Sequence, residues 1–227
     1  MILILDLDDT LYSEIEYVYS GFAAVSTYMS TQYNLDQNQL FQGMKKSFQE
    51  LGRGKIFNDV LRMYGLSNPK IIRKCISVYR SHEPNISLSA PGIAFLQRFE
   101  SSIKYLVTDG NKLVQAKKIK ALQLGPHFAK TYVTHQYGIK YAKPSTHCFQ
   151  LIANEEECSY NSMVYIGDNP NKDFVGIKPL GIKTIRVNQG AFYNVKCEPQ
   201  NEADVQVESL DEVNNNLLMM MTNEKTR

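Results

Sequence analysis

The stretch Ile2-Leu3-Ile4-Leu5-Asp6-Leu7-Asp8-Asp9-Thr10 decides the fold of this chain. Its apolar run is typical of a buried strand, and it leads directly into acidic residues. Later apolar runs also end in polar residues, one at Thr108 and another at Asp168. In an open α/β sheet, ligands bind beyond the carboxyl ends of the strands. We therefore expect Asp6, Thr108 and Asp168 to converge on one crevice.

Strand-like and helix-like segments alternate from about Ser89 onward, which is the pattern of a parallel sheet covered by helices. Together with the first strand, the pattern predicts five or six strands, too few for an eight-stranded barrel. The predicted fold class is therefore α/β, a Rossmann-like doubly wound parallel sheet. The further strands are predicted at 103–107, 131–134, 163–166, 183–187 and 203–207, and the helices between them at 92–99, 113–122, 145–152 and 174–180.

The segment from about Ser13 to Asn85 has apolar residues at helical spacing and no convincing alternating stretch. Gly52-Arg53-Gly54 interrupts this pattern, and Pro69 opens its last helix. Four consecutive helices between two strands exceed an ordinary crossover connection. We predict an inserted all-helical domain at 13–89 within a core domain of 1–12 and 90–227. The alternative is that these helices simply pack on the sheet.

Composition and charge limit the possible functions. The chain has 227 residues, of which 43% are hydrophobic and 21% charged, as in a soluble globular protein. A net charge of +2 without a basic stripe disfavours a nucleic-acid polymer as partner. The N-terminus lacks the basic stretch of a secretory signal, and no apolar run reaches bilayer length, so we expect no membrane partner. Four widely spaced cysteines predict reduced thiols and a cytoplasmic location.

Asp6 and Asp8 are separated by one residue, so their side chains project to the same side if the chain stays extended. Two carboxylates this close repel each other by roughly 4 kcal/mol at an effective dielectric constant near 20. A hard divalent cation with oxygen ligands would offset that repulsion. The alternative is an acidic, solvated turn. A calcium loop is disfavoured, because its sixth position would be Leu11 rather than glycine.

Thr108-Asp109-Gly110 follows the second predicted strand and offers a hydroxyl group beside a flexible backbone. Thr108 could serve a ligand in this way, or it could cap the following helix. Lys143 precedes Pro144, and proline favours the first position of a helix. Lys143 would then lie beside a helix N-terminus, where an anion binds well, unless it is simply a solvated lysine.

A further pair of carboxylates follows the predicted strand at 163–166. Gly167-Asp168 comes directly after that strand, and Asp173 lies five residues further on. Either residue could cap the next helix. The pair could also add ligands at the same edge of the sheet.

Taken together, these positions resemble the haloacid dehalogenase-like hydrolase superfamily, of the phosphatase type with a helical cap. The family pattern is a strand ending in Asp-x-Asp-x-Thr, then a strand-end Thr or Ser, then a Lys, then Gly-Asp with a further Asp. The corresponding elements here occur in that order, over Met1 to about Gly190, and the helical insert is similar to the family's cap. These elements are Asp6, Asp8, Thr10, Thr108, Lys143, Gly167, Asp168 and Asp173.

The resemblance implies a mechanism in which Asp6 attacks phosphorus and forms an aspartyl-phosphate. Asp8 would first protonate the leaving oxygen and would then activate water. The resemblance also implies a Mg²⁺ site and a phosphate site in the same crevice. The implied metal ligands are the Asp6 carboxylate, the Asp8 backbone carbonyl and Asp168, with Asp173 in support; the implied phosphate contacts are Leu7, Thr108, Asp109 and Lys143.

The charge count agrees with a metal ion, because four carboxylates and a phosphate dianion would otherwise have only Lys143 for compensation. We predict a Mg²⁺-dependent phosphatase of a small phosphorylated metabolite, a sugar phosphate or nucleotide, acting as monomer or homodimer. Arg53, with Lys55, is a candidate contact to the substrate, although charged residues beside glycines usually face solvent. The carboxylate at Asp8 disfavours a dehalogenase.

Two alternatives remain open on the same fold. A phosphosugar mutase would keep the second aspartate. A catalytically silent binding module would keep the fold without activity.

Overall fold

The structure is a computed structural model that describes residues 1–223. The chain divides into two compact units. The core unit joins Met1–Glu14 to the chain from Ser87 onward, and the helical unit is Ile15–Ile86. The sequence predicts a core domain of 1–12 and 90–227 and a helical domain of 13–89. The last part of the expected core domain, 224–227, lies outside the described residues.

Within the described residues, six strands of the core unit form one parallel sheet. They follow the order β3-β2-β1-β4-β5-β6. The predicted α/β fold class is confirmed. The strands are β1 Ile2–Leu5, β2 Lys104–Thr108, β3 Lys130–Val133, β4 Met163–Gly167, β5 Lys183–Val187 and β6 Val205–Val207.

β1 lies between β2 and β4. Leu5 is in register with Leu106 on one side and with Ile166 on the other. The chain adds strands on one side of β1 and then crosses to the opposite side, so the strand order reverses there. A crevice opens outside the carboxyl ends of the strands at such a point. The residues that follow β1, β2 and β4 are thereby brought side by side.

The helical unit contains the four helices that the sequence predicts. Asp36 and Asn68 cap two of them, since each side chain accepts a hydrogen bond from a backbone N–H of the first turn. Residues from all four helices form one buried cluster that includes Phe22, Met44, Val60 and Cys75. The helices are α1 Glu14–Tyr33, α2 Gln37–Leu51, α3 Ile56–Met63 and α4 Pro69–Ser81.

The core unit has four α-helices in its described part: α5 Ala90–Arg98, α6 Lys112–Ala121, α7 His147–Glu155 and α8 Asn215–Asn223. Ile2 and Ile4 of β1 belong to the same buried cluster as Phe149 and Ile152 of α7. Because side chains alternate along a strand, Asp6 follows Ile2 and Ile4 on that face. In the described part of the chain, no helix combines the length and hydropathy that a membrane span needs.

Two predicted helices differ from the structure. The segment 174–180 forms turns and one short 3₁₀ helix, Lys178–Leu180, because Gly176 and Pro179 disfavour a continuous α-helix. The helix predicted at 145–152 begins at His147 instead. A turn precedes it, in which the Ser145 N–H donates to the Ala142 carbonyl.

Candidate active site

Asp6 is the first residue after β1, and its side chain lies on the buried face of the sheet. Its backbone N–H donates to the carbonyl of Ile166, which holds the end of β1 against β4. The Asp6 carboxylate accepts a hydrogen bond from Lys143 Nζ at 2.8 Å. Asp6 is only 4% exposed. This burial excludes the alternative that Asp6 belongs to an acidic, solvated turn.

Asp6, Asp168 and Asp173 form a buried group whose side-chain oxygens lie within 4.8 Å of one another. Burial, with the neighbouring carboxylates of Asp173 and Asp6, raises the pKa of Asp168 to about 9. Burial also raises the pKa of Asp6 to about 6, against the attraction of Lys143. Carboxylates this close do not all ionise at neutral pH without a compensating cation. Their oxygen atoms are the ligands that Mg²⁺ prefers, so the group fits a divalent cation.

Lys143 connects two of these carboxylates. Its Nζ lies 2.8 Å from Asp6 and 2.7 Å from Asp173, and it donates to the Tyr165 hydroxyl at 2.8 Å. Burial alone would lower the pKa of Lys143, but Asp173 and Asp6 raise it well above the usual value. The prediction that Pro144 opens a helix, with Lys143 beside its N-terminus, is wrong, because α7 begins at His147 and Lys143 lies in the turn before it. Its ammonium group, rather than a helix N-terminus, supplies the positive charge at this site.

Asp8 makes a different set of contacts from Asp6. Its carboxylate accepts hydrogen bonds from Lys118 Nζ at 2.7 Å, Tyr12 Oη at 2.5 Å and Gln115 Nε2 at 2.9 Å. Burial alone would raise the pKa of Asp8, but Lys118 and these hydrogen bonds together lower it below 3.8. The charge count based on Lys143 alone is therefore wrong, because Lys118 neutralises Asp8 directly.

Thr108 is the last residue of β2 and is 1% exposed. Its hydroxyl oxygen accepts a hydrogen bond from Gln115 Nε2 at 2.6 Å. Asn111, not Thr108, caps α6, since the Asn111 side chain accepts from the Leu113 backbone N–H at 3.0 Å. Thr108 is therefore held at the strand end without serving as a helix cap.

The two other expected phosphate contacts flank these residues. Asp109 accepts hydrogen bonds from the Thr134 hydroxyl at 2.6 Å and from the Lys143 backbone N–H at 3.1 Å, and it pairs with Lys172 at 3.1 Å. Asp109 thus fixes the turn that carries Lys143. Leu7 is fully buried next to Asp6.

Arg53 lies in the helical unit, between α2 and α3, and it is exposed. It lines a cavity within that unit together with Lys55 and Arg80. Its expected contact to a substrate stays a prediction.

Three residues around this centre were not identified from the sequence: Gln115, Lys118 and Tyr165. Gln115 and Lys118 are three residues apart, so they share one face of α6. Both are almost fully buried, at 1% and 2% exposure. A polar pair at helical spacing directly after Thr108 is a signal that could have pointed to them. Tyr165 is the residue of β4 in register with Ile4, which places it on the same face as Asp6.

The arrangement brings the buried carboxylates of Asp6, Asp168 and Asp173 to one edge of the sheet. Asp6 lies within the carboxylate group, whereas Asp8 points to a separate set of donors. Thr108 offers a hydroxyl group at the end of β2, and Lys143 offers a cation from the turn before α7. Such a set can stabilise a phosphoryl group and transfer it to a carboxylate.

Comparison with known proteins identifies relatives over almost the whole chain. The glyceraldehyde 3-phosphate phosphatase of Methanocaldococcus jannaschii is 26% identical, covering 93% of this chain and 94% of that protein. The protein of the same name from Methanopyrus kandleri is 24% identical over 88% of each. The magnesium-bound structure of the HAD-hydrolase YfnB from Bacillus subtilis has a TM-score of 0.64 at 19% identity, covering 98% of each chain.

These comparisons agree with the resemblance drawn from the motifs. The two archaeal relatives are phosphatases, which confirms the predicted enzyme class, a hydrolase acting on phosphoric monoesters. A sequence model described as haloacid dehalogenase-like hydrolase matches residues 3–187, a range that holds every motif residue from Asp6 to Asp173. The chain belongs to the haloacid dehalogenase-like hydrolase family.

Proposed function

We propose that this enzyme is a Mg²⁺-dependent phosphatase that hydrolyses a small phosphorylated metabolite through an aspartyl-phosphate on Asp6. The observation that carries the proposal is the buried group of Asp6, Asp168 and Asp173, joined by Lys143. This group would combine the proposed nucleophile and cation site with the ammonium group of Lys143. The family membership supports the same chemistry.

Mg²⁺ would be held by the carboxylates of Asp6, Asp168 and Asp173 and by the backbone carbonyl of Asp8. When bound, it would neutralise charge on the phosphoryl oxygens. Lys143 and the Thr108 hydroxyl would bind the remaining oxygens, with the backbone at Leu7 and Asp109 completing the site.

Asp6 acts first in the proposed reaction. One of its oxygens forms a bond to phosphorus while the bond to the leaving oxygen breaks, and Asp8 donates a proton to that oxygen. Water then attacks phosphorus, Asp8 accepts a proton from it, and inorganic phosphate leaves the Asp6 carboxylate. The pKa of Asp8, lowered by Lys118 and hydrogen bonds against burial, keeps it ionised in the free protein and able to accept a proton from water. For the first step Asp8 would take up a proton when the substrate binds and pass it to the leaving oxygen.

The substrate class we propose is a sugar phosphate or a nucleotide. The relatives named for glyceraldehyde 3-phosphate make a triose phosphate the first compound to test. A screen of phosphorylated sugars, nucleotides and small organic acids, ranked by kcat/KM, would identify the preferred class.

The test of the proposed function is turnover of 4-nitrophenyl phosphate with Mg²⁺. We expect Asp6→Asn to reduce phosphate release to the uncatalysed background, because the carboxylate nucleophile is lost. Asp211→Asn is a matched control, since Asp211 is exposed and distant in sequence from the motifs. Equal rates for Asp6→Asn and the wild type would refute Asp6 as the nucleophile.

The same assay separates the two alternatives. A phosphosugar mutase would transfer the phosphoryl group to a second hydroxyl group and release little phosphate. A silent module would release none with any substrate of the screen.

A further inference from the structure

The post-β5 loop, residues 188–195, lies against the chain directly after Asp8. Gln189 Nε2 donates hydrogen bonds to the backbone carbonyls of Asp9 at 2.6 Å and of Thr10 at 3.0 Å. Both of these residues are buried. The contacts join two parts of the core unit that are far apart in the sequence. The loop contains none of the motif residues of the candidate site, so the chemistry of the motifs does not explain why it lies there.

The two carbonyls belong to a tight turn that contains Asp8. The Leu11 N–H donates to the Leu7 carbonyl at 3.0 Å, and this hydrogen bond closes the turn. Buried backbone carbonyls need a hydrogen-bond partner. The turn supplies one for Leu7, whereas the Gln189 side chain supplies one for each of the next two buried carbonyls after Asp8. Gln189 therefore fixes the backbone on the C-terminal side of Asp8.

The backbone of Asp9 also depends on the post-β5 loop. Asp9 has a φ of +49°, in the left-handed region that residues other than glycine rarely adopt. Its carboxylate accepts hydrogen bonds from the Glu14 N–H at 2.8 Å and from the Ala191 N–H at 3.2 Å. Such a conformation persists where its surroundings fix it. Ala191 of the loop provides part of that support.

Gly190 allows the loop to approach the turn closely. Its φ is +65°, and a Cβ at this position would lie 2.1 Å from Cγ of Asp9. Arg186 of β5 holds the rest of the loop, since its guanidinium group donates to the carbonyls of Phe192 at 2.6 Å and Val195 at 3.0 Å. Arg186 is buried. The loop is therefore attached to the sheet at one end and to the turn at the other.

We propose that Gln189 is a positioning residue for the proton transfers of Asp8. Lys118 and Gln115 orient the Asp8 side chain from α6, and Gln189 fixes the backbone that follows it. A displacement of about 1 Å in a proton-transfer group can lower a rate by up to about 100-fold. The inference rests on the proposed function, because it assigns Gln189 to a step of that reaction.

The test is the dependence of kcat/KM on the leaving group. Phenol leaves less readily than 4-nitrophenol, so phenyl phosphate needs the proton from Asp8 more than 4-nitrophenyl phosphate does. Gln189→Met removes the donor and keeps the length of the side chain. We expect it to lower kcat/KM about tenfold for phenyl phosphate and less than about threefold for 4-nitrophenyl phosphate. A loss of folded protein would lower both values by the same factor.

Asn188→Leu is the matched control. It removes the amide of the neighbouring residue, whose Nδ2 donates to Glu208 at 2.9 Å instead of to the turn. We expect this variant to leave the ratio of the two kcat/KM values unchanged, even if its Tm falls.

A second variant displaces the turn from the same loop. Gly190→Ala adds the Cβ that would meet Asp9, and we expect it to lower the ratio of kcat/KM for phenyl phosphate to that for 4-nitrophenyl phosphate by about fivefold. Gly181→Ala is its control, because Gly181 also has a positive φ, +93°, and a Cβ there would lie 2.4 Å from Asn161 Oδ1. Both variants strain the backbone, but only Gly190→Ala should change the ratio.

An unchanged ratio in Gln189→Met, with an active wild type, would overturn the inference alone, because Gln189 would then support the fold and nothing more. A wild type that releases no phosphate from either compound would refute the proposed function and this inference together. The two failures are thus distinguished by the activity of the wild type.

Discussion

Asp8 is held by donors from two parts of the core unit. Tyr12 contacts it from the segment after β1, while Gln115 and Lys118 contact it from α6. Hydrogen bonds from a charged donor fix a carboxylate more strongly than neutral ones do. Asp8 therefore has one preferred orientation and an ionised ground state, which suits a group that accepts a proton from water.

Replacing Asp8 should separate the two proposed steps. We expect Asp8→Asn to release 4-nitrophenolate in a burst that approaches the enzyme concentration, because this leaving group needs little help from an acid. Steady-state turnover should then fall by about 10²–10⁴-fold, since no base activates water. Stopped-flow absorbance measures both phases. A steady rate without a burst, equal to that of the wild type, would contradict the assignment.

Tyr165 should act through Lys143. Its hydroxyl accepts from Lys143 and lies 3.2 Å from Asp173. We expect Tyr165→Phe to reduce kcat by roughly tenfold, because Lys143 loses one of the contacts that position it. The measurement is steady-state hydrolysis of 4-nitrophenyl phosphate.

Tyr105→Phe is the matched control for this variant. Tyr105 is also a buried sheet tyrosine whose hydroxyl donates to a carboxylate, that of Glu156. Both changes should cost about 1 kcal/mol of stability, but only Tyr165→Phe should lower kcat. Equal effects of the two variants on kcat would show that Tyr165 has no specific role.

Among the elements, α6 links the end of β2 to Asp8. Gln115 Nε2 donates to both Thr108 and Asp8, and Lys118 lies on the same helix face. α6 therefore holds both Thr108, at the end of β2, and Asp8, which follows β1. A small shift of α6 would move both groups together.

Removing the charge of Lys118 should test this link. We expect Lys118→Met to lower kcat by about tenfold with less than a threefold change in KM, and to destabilise the fold by about 3 kcal/mol, because a buried partner of Asp8 is lost. Lys118→Arg should restore part of kcat. Lys120→Met, at an exposed position of α6, is the control. If Lys118→Met changed stability alone, α6 would be only a structural support.

The bounds of a strand could be predicted from the sequence where its apolar run ends abruptly. β1 and β5 were predicted at their observed bounds, because a polar residue follows each run directly, Asp6 after β1 and Asn188 after β5. The segment 174–180 was not, because its apolar spacing resembles a helix while Gly176 lies against the Pro144 carbonyl, where no Cβ fits. That close approach depends on a distant turn, which local patterns do not reveal.

For the whole molecule, the buried carboxylates should make stability depend on pH and on Mg²⁺. In the cation-free protein the pKa of Asp168 is about 9, compared with 3.8 in an unfolded chain, because burial and Asp173 favour the neutral form. The folded state then binds more protons than the unfolded state between about pH 4 and 9. Stability without Mg²⁺ should therefore fall as pH rises through this window.

Addition of Mg²⁺ should reverse this loss. At 100 times its Kd, Mg²⁺ should stabilise the fold by about 3 kcal/mol, a rise in Tm of about 5–10 °C. The rise should be larger at pH 8.5 than at pH 6, because fewer protons must be displaced. Asp168→Asn should abolish most of the Mg²⁺ effect in differential scanning calorimetry. An unchanged Mg²⁺ effect in that variant would contradict the proposed cation site.

The sequence predicts most of the residues at the strand ends that form the candidate site. It does not predict the residues that hold them in place. Asp6, Thr108 and Asp168 were predicted to converge because the carboxyl ends of parallel strands share one edge of a sheet. Asp173 was added to them as a supporting ligand through the family resemblance. Lys143 could be placed there only through the family resemblance. The contacts of Lys118 and Tyr165 depend on how a helix face and a neighbouring strand turn toward that edge, and a single sequence does not give these orientations.

The central position of β1 has a consequence for biosynthesis. Asp6 is synthesised before its neighbours on β4, because the whole helical unit lies between them in the chain. A nascent chain that has not yet produced β4 has no partner strand on that side of β1. Such a chain cannot be an active enzyme, however well its helical unit has folded. Activity therefore reports that translation has passed Asp173.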